Sequence, residues 1–460
     1  MKIMEKIKQA LAHLLNTSEI KSLGCNMSPY MEHAVRIWDE LFYVIDSPPH
    51  SLHLAQTITA YMATLATSEL TLDAGASQRG KYITDQVTSH IQPLVYEAVQ
   101  LAGAGGMAAV KPYMAKGEIY AEIIPRDRIY PTRFGANNRI EAGFFTDFAE
   151  NKEKPVVRLE SFDLTSEGLR IENHAYQMRE NGLLGREIPL DTIQRWAELE
   201  EAVQIDHVDR PHFGIIRMPM INNIDASPYP ISIFANACDT IIELDKTYAQ
   251  LLWERDTGKR RMILDRTVAG KDPINGKPVI PFRDLTSDYY MTIDMPEEKP
   301  WDDYTPEMRI EKYREAIDMQ LRILELQTGF SPGTFQIDVP GGRVTATQII
   351  SEDRTTYNTV KAIQERGMIP GLTDVLYWVD VYAGLYGLAP NGSVSFSVSC
   401  GDSIFEDTGI EFQRRKAMAD AKYIRPELFT SWYFGVSEEE AREMLPNQET
   451  ADDIFFGGRQ

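Results

Sequence analysis

The chain has 460 residues, 43% apolar and 25% charged, the profile of a folded protein with room for two to four domains or one elongated subunit of several parts. Its 47 basic and 68 acidic residues leave a net charge of −21, which argues against gripping nucleic acid over the whole surface but not against a small basic patch. Cys25, Cys238 and Cys400 lie far apart with no CxxC, so neither a disulfide framework nor a thiolate zinc site is expected, and no apolar run approaches the ~20 residues of a membrane span.

The opening MKIMEKIKQALAHLL reads as an amphipathic helix without the continuous apolar stretch of a secretory signal, so the expected compartment is a reducing cytoplasm. Met31, Val35, Trp38, Leu41 and Phe42 predict one helix, and Leu52, Ala55, Ile58 and Met62 a second, separated by Pro48-Pro49. From Met107 the period changes to two. GEIYAEIIPRDRIYPTRF, IEAGFFTDF, VVRLESFDL and GLRIENHAYQM alternate between turn residues and predict an antiparallel sheet, with PHFGIIRMP as a further strand.

A Pro/Asn loop, MINNIDASPYP, leads into a long helix from Ser232 to Thr257-Gly258. Its stripe is Phe234, Ala237, Ile241, Leu244, Tyr248 and Leu251, with Ser232 as N-cap and Gly258 as stop. Lys259–Tyr304 is a mixed insert with short strands, RRMILD and YYMTIDM. Thr305-Pro306-Glu307 opens a second long helix, whose stripe is Ile310, Tyr313, Ile317, Leu321 and Leu324, and Gly329 stops it. The two long helices can pack antiparallel with the insert at their far end.

Gly329–Val344, GFSPGTFQIDVPGGRV, is then a long Gly/Pro-rich loop carrying Phe330, Phe335, Ile337 and Val339, unlike a disordered linker. A third helix begins at Thr345, where Thr345 and Gln348 stand at capping-box spacing. Gly367 and Pro370 kink it before it runs on towards Gly387. The strand SVSFSVSC and a helical tail from Asp407, ending in SEEEAREML, complete the chain. The fold class is α+β.

No catalytic motif emerges. GAGG (Gly103–Gly106) lacks the Lys-Ser/Thr of a phosphate loop and reads as a turn, and GGRVTAT (Gly341–Thr347) also lacks the lysine and follows a helix and a loop, not a clear buried strand. His50 and His53 are three apart beside a proline pair and read as a helix start. There is no HExxH or GxSxG, and Asp302-Asp303 reads as acids ahead of a helix N-terminus. Neither cofactor nor metal is expected, and no enzymatic activity. Three basic groupings remain. Lys259, Arg260, Arg261, Arg266, Lys271, Lys277 and Arg283 surround the insert; solvation with helix-end cations accounts for them simply, and a phosphate collar is the functional alternative. Arg309, Lys312, Arg314 and Arg322 alternate with acids on the second long helix, a pattern that intrahelical pairs explain, and Arg343 stands in the loop.

Three segments, SIFANACDTIIELDKTYAQLLWERDTGKRRMIL, LELQTGFSPGTFQID and TATQIISEDRTTYNTVKAIQ, resemble the portal (head–tail connector) proteins of long-tailed bacteriophages, the siphophage type of Gram-positive hosts. The resemblance covers roughly residues 230–410. DSIFEDTGIEFQRRKAMADAKYI and YFGVSEEEAREML also look like that family's C-terminal part, and the first 230 residues agree in element order. It implies a ring, commonly dodecameric, at one capsid vertex, through which double-stranded DNA is packaged by terminase and later leaves. By resemblance, residues 1–231 are wing, 232–258 and 306–328 the stem helices, and 259–305 the clip. Residues 329–344 are the tunnel loop, 345–406 the long kinked wing helix and strand, and 407–460 a short crown. The loop residues Phe335, Gln336, Ile337, Asp338, Val339, Pro340, Gly341, Gly342 and Arg343 are then candidates for lining the channel, and Lys259, Arg260, Arg261, Arg266, Lys271 and Arg283 for terminase or DNA contact. The implied partners are further copies of the chain, terminase large subunit, major capsid and scaffold proteins and the head–tail adaptor, with no membrane. The implied location is the virion, after assembly in the host cytoplasm. Two other classes stay open: another ring-forming virion component such as an adaptor or tail protein, and an acidic cytoplasmic enzyme with an unrecognised site.

Overall fold

The computed structural model describes residues 27–44, 50–151, 154–179, 184–258, 261–265, 270–271, 278–279, 290–293, 301–304, 307–335, 354–401, 408–434 and 438–445. The expected opening helix, Cys25, Pro48-Pro49 and the Thr345–Gln348 capping box lie outside these residues. The chain divides into two units, Met1–Pro340 with Asn358–Cys400, and Gly341–Tyr357 with Gly401–Gln460. The architecture is α+β, with helices and mainly antiparallel sheets in separate stretches of the chain.

The first unit opens with α1 (Pro29–Tyr43), where the Ser28 hydroxyl accepts from Met31 N at the N-cap, Pro29 occupies the first turn, and Met31, Val35, Trp38 and Phe42 form the buried face. α2 (Leu54–Ala66) has no side-chain cap of its own, because His53 sits in left-handed backbone at φ 53°. Asp245 serves this end from elsewhere in the chain, accepting from Leu52 N at 2.7 Å and the Ser51 hydroxyl at 2.8 Å. The short strand β1 (Leu70–Asp73) leads to α3 (Gln78–His90), capped by Ser77, and α4 (Gln92–Gly105). The GAGG sequence is thus the end of α4 and its left-handed stop, Gly106 at φ 88°, as the turn reading expects. A Cβ there would stand 2.5 Å from Pro230 O, so glycine is required on two counts.

β2 (Met107–Ala115) and β3 (Glu118–Pro125) form a hairpin. β4 (Ile129–Phe134), β5 (Ile140–Asn151), β6 (Lys154–Thr165) and β7 (Gly168–Met178) make an antiparallel meander. β8 (Leu184–Ile188) and β9 (Ala202–Asp206) pair opposite ends of β7, completing a six-stranded sheet. β10 (Gly214–Arg217) returns to the other edge of β2, giving the order β10-β2-β3. Period-two alternation sorts the core. Phe145, Phe162 and Leu169 face one side with Met107, Ile124, Phe213 and the fully buried Trp378, while Phe144, Val157 and Leu159 face the other with Tyr130 and Met178.

The long helices are α5 (Cys238–Thr257) and α6 (Ile310–Thr328). Between them lie β11 (Arg261–Asp265), β12 (Gly270–Lys271), β13 (Pro278–Val279), β14 (Tyr290–Ile293) and β15 (Trp301–Tyr304). β11 is central, parallel to β14 and antiparallel to β15, and β12 pairs β13. Both long helices start later than the sequence pattern suggests. Ser232 is no N-cap: its hydroxyl donates to Gly103 O at 2.9 Å, and a single 3-10 turn, Ala235–Ala237, precedes α5. Gly258 ends α5 with φ −76° and not in left-handed backbone. Thr305-Pro306 is outside the described residues, Glu307–Arg309 is not helical, and α6 begins at Ile310. Asp302 and Asp303 belong to β15, paired with Ile263 and Met262, and so are not acids at a helix start.

α7 (Arg354–Ala362) passes through a π turn, Ile363–Met368, into α8 (Ile369–Leu385). The interruption falls where Gly367 and Pro370 predict one: Pro370 has no N–H and its ring collides with an α-helical carbonyl four residues back, which a wider turn relieves. Two glycines let α8 meet β10 at backbone distance, since a Cβ on Gly214 would lie 1.9 Å from Gly371 O and one on Gly371 2.2 Å from Ile215 O. β16 (Ser397–Cys400) pairs antiparallel with β1. Arg79 from α3 donates to Asp380 of α8, fastening the same region.

In the second unit, α9 (Thr408–Asp420) and α10 (Pro426–Phe434) are joined by aromatic contacts, and Arg442 of α11 (Glu438–Met444) approaches Glu427 of α10 at 3.9 Å. Phe412 meets Phe429 and Tyr433 at ring-centroid distances of 5.4 and 5.0 Å, and the Arg415 guanidinium lies 4.5 Å over Trp432.

Candidate functional site

The region that carries the sequence resemblance is built on the α5–α6 hairpin. At ~1.5 Å per residue each helix is about 30 Å long. They run antiparallel, because the Thr240 hydroxyl near the start of α5 donates to Gln327 near the end of α6 at 2.8 Å, while Glu254 near the end of α5 meets Arg309 before the start of α6. Ile241 and Leu244 are buried on α5, and Ile317, Leu321 and Leu324 on α6, so apolar packing is concentrated at the end of the hairpin that meets α1 and the 3-10 turn before α5. The stripe weakens outward: Tyr248 and Leu251 are half-buried and Ile310 is exposed.

Charge holds the outer end. The Glu254 carboxylate accepts from Arg309 through its backbone N at 2.9 Å, Nε at 3.1 Å and NH2 at 2.8 Å. This two-pronged bond from Arg309 draws the Glu254 pKa down from 4.5 to about 2. Arg309 thus pairs between helices, while Arg314 with Glu311 at 3.3 Å is the intrahelical kind the charge pattern suggests.

The outer surface of the hairpin is unusually apolar. Trp253 is 66% exposed, Met319 65% and Leu326 81%, with Met308, Ile310 and Ile323 also solvent-facing. Large apolar side chains in such number on one slender element mark an interaction surface.

Of the tunnel-loop candidates, only Phe335 falls among the described residues. Its ring packs against Tyr61 and Phe330 with centroids 5.8 and 5.4 Å apart, and Phe330 is fully buried. Gln336, Ile337, Asp338, Val339, Pro340, Gly341, Gly342 and Arg343 lie outside the described residues. So do Lys259, Arg260, Arg266 and Arg283 of the insert. Arg261 opens β11 opposite Tyr304, and Lys271 lies in β12 opposite Pro278. Among the described residues no group of His, Cys, Asp and Glu is placed to hold a metal ion, and no helix is long and apolar enough to cross a membrane.

Sequence reading missed two charged features. One is a buried cluster under the sheets. Glu160 of β6 accepts from Lys111 of β2 at 2.7 Å, Arg158 at 2.9 Å and His212 at 2.8 Å, and Arg158 also reaches Asn173. Burial opposes the Lys111 ammonium, yet the Glu160 and Glu122 carboxylates outweigh it and raise its pKa. Burial likewise opposes the Glu160 carboxylate, and the surrounding cations hold it well below the usual range. His212 is pushed down by burial and stays neutral, donating from Nε2 with Nδ1 unpaired. The other feature is Glu325, fully buried on the apolar face of α6 beside Leu324 and Thr328. An acid on a helix's apolar stripe was the available signal for it.

No family model and no curated protein matches the chain. Among solved structures it is similar to a chain of the virion of a native gene transfer agent particle, with a TM-score of 0.44 at 11% identity over 88% of this chain and 93% of that one. A chain from the neck of the native particle, computed with C12 symmetry, gives 0.43 at 11% identity over 90% and 93%. One from the neck of the empty particle, computed with C6 symmetry, gives 0.41 at 12% identity over 87% and 88%.

Proposed function

We propose that this chain is the portal subunit of a tailed-phage particle: a ring-forming protein without catalytic activity of its own, through which double-stranded DNA is packaged and later released. The observation that carries the reading is the hairpin. Two long antiparallel helices, locked at the outer end by Arg309–Glu254 and separated by a small β module, leave Trp253, Met319 and Leu326 facing solvent in the isolated subunit. Further copies of the chain are the partners that cover these side chains, which makes α5 and α6 the stem and β11–β15 the clip. The three resembling segments fall on this hairpin, on the loop that follows it and on the helix beyond.

The charge balance suits such a passage. A net −21 gives an acidic body that repels phosphate within a Debye length of ~8 Å, so DNA slides without being trapped. Contacts at the loop and clip would go to the backbone irrespective of sequence. Terminase, scaffold and major capsid proteins and the head–tail adaptor are the expected partners, at a capsid vertex of the virion.

Mass and shape of the purified particle test this. Twelve copies of the 52.2 kDa chain would give about 0.6 MDa, with a central hole in negative stain. A monomer or dimer under all conditions, including co-expression with scaffold, refutes it. Deleting Asp338–Arg343 is expected to permit ring assembly and to impair packaging or retention of DNA.

A further inference from the structure

The segment Gly329–Phe335 is held from both flanks. Gly329 stops α6 in left-handed backbone at φ 76°, and its N–H and that of Phe330 both return to Glu325 O. The Glu325 side chain then takes the next part of the chain: Oε2 accepts from Gly333 N at 2.8 Å and Oε1 from Phe335 N at 2.7 Å. Four N–H groups of the segment therefore converge on one residue. From the other flank, the Thr359 hydroxyl of α7 donates to Gly329 O at 2.7 Å.

Nothing in α6 itself calls for a carboxylate here. Glu325 is fully buried, it lies in the last turn where the helix dipole disfavours negative charge, and it has no ion pair among the described residues. An apolar residue would pack the same stripe without the desolvation. What the carboxylate alone supplies is one acceptor oxygen for each of two backbone donors. The glutamine amide offers a single oxygen, so one donor would face an NH2 group.

We infer that Glu325 is a positioning residue: it fixes the backbone from Gly329 through Phe335, so that on the portal reading the loop starts from a rigid root. The functional half of this inference rests on the portal reading; the anchoring half does not. In the full-length protein, Glu325→Gln and Glu325→Ala are expected to speed chymotryptic cleavage after Phe335 on the order of tenfold, the effect of losing one or two charge-assisted hydrogen bonds on local opening. Oligomer mass and far-UV dichroism stay unchanged. In particles carrying the same variants, packaged DNA is retained less well although rings assemble, a split that a merely structural role would not produce. Should Glu325→Ala fail to fold, the isosteric Glu325→Gln carries the test. Cleavage at the wild-type rate overturns the anchor, and faster cleavage with wild-type DNA retention overturns its role in positioning. If deleting Asp338–Arg343 leaves packaging intact, it is the portal reading that falls, and cleavage still judges the anchor.

Discussion

Replacing Glu160 by glutamine removes the negative charge to which Lys111, Arg158 and His212 all hydrogen-bond. The carboxylate is 4% exposed and receives hydrogen bonds from all three. Removing one partner of a buried pair destabilises by about 3–5 kcal/mol. Here Lys111 keeps Glu122 at 2.6 Å and Arg158 keeps Asn173 at 2.8 Å, so the lower end, about 3 kcal/mol, is expected. Urea unfolding of the full chain followed by near-UV dichroism measures it, since the Trp378 ring lies edge-on to His212 at 6.3 Å in the same core. The double variant Lys111→Met, Glu160→Met should recover part of the loss by removing both charges at once. A loss under about 0.5 kcal/mol for Glu160→Gln, or no recovery in the double variant, refutes the reasoning.

The same cluster sets an acid limit. His212 is neutral when folded because burial lowers its pKa below 6.5, so as pH falls through about 6.5 the unfolded chain binds a proton first and stability declines. Glu160 acts lower down: its contribution is full above about 4.5 and is lost as pH falls through its depressed folded value. His212→Asn should flatten the decline between pH 6.5 and 5 and leave the lower one. An unchanged slope would mean that other groups govern it.

Gly371→Ala should destabilise by about 3 kcal/mol or more, because its Cβ would meet Ile215 O at 2.2 Å and neither backbone can yield; a thermal midpoint within a degree of wild type refutes this. Met319→Glu with Leu326→Glu, both on exposed positions, should leave the subunit folded and shift native mass from ring to subunit; an intact ring would remove this face from the interface. Reversing Lys259, Arg260 and Arg261 to Glu should weaken terminase docking or DNA engagement, and an unchanged packaging assay returns them to a solvated surface role.

Legibility followed the range of the forces involved. α1, α2 and the β5–β7 meander were readable because period and turn chemistry are local: the segment GLRIENHAYQM and β7 share both ends, Gly168 and Met178. The interruption at Gly367–Pro370 was readable for the same reason. The starts of α5 and α6 were not. Ser232 looks like a cap until Gly103 O, 129 residues away, takes its hydroxyl, and Thr305-Pro306 looks like one although Arg309 binds Glu254, 55 residues back. β1 and β16 are each four residues long and find each other across more than 300 positions, a pairing no local pattern announces.

The loop shows how this distinction bears on function. Its beginning was legible because a glycine in left-handed backbone ends a helix wherever it occurs. Its aromatics invited a channel-facing role, although Phe330, five residues back, already packs on the Phe335 ring. Tyr61 supplies a further partner from α2, and Glu325 holds the backbone that presents the ring to it. If the chain forms the proposed ring, a collar made of many copies needs such a root: loops that swung from Gly329 would then enter the channel at different depths in neighbouring subunits, whereas loops fixed through Phe335 would share a common starting point. Glu325 thus takes on desolvation that α6 does not need, and the benefit falls to the segment it holds.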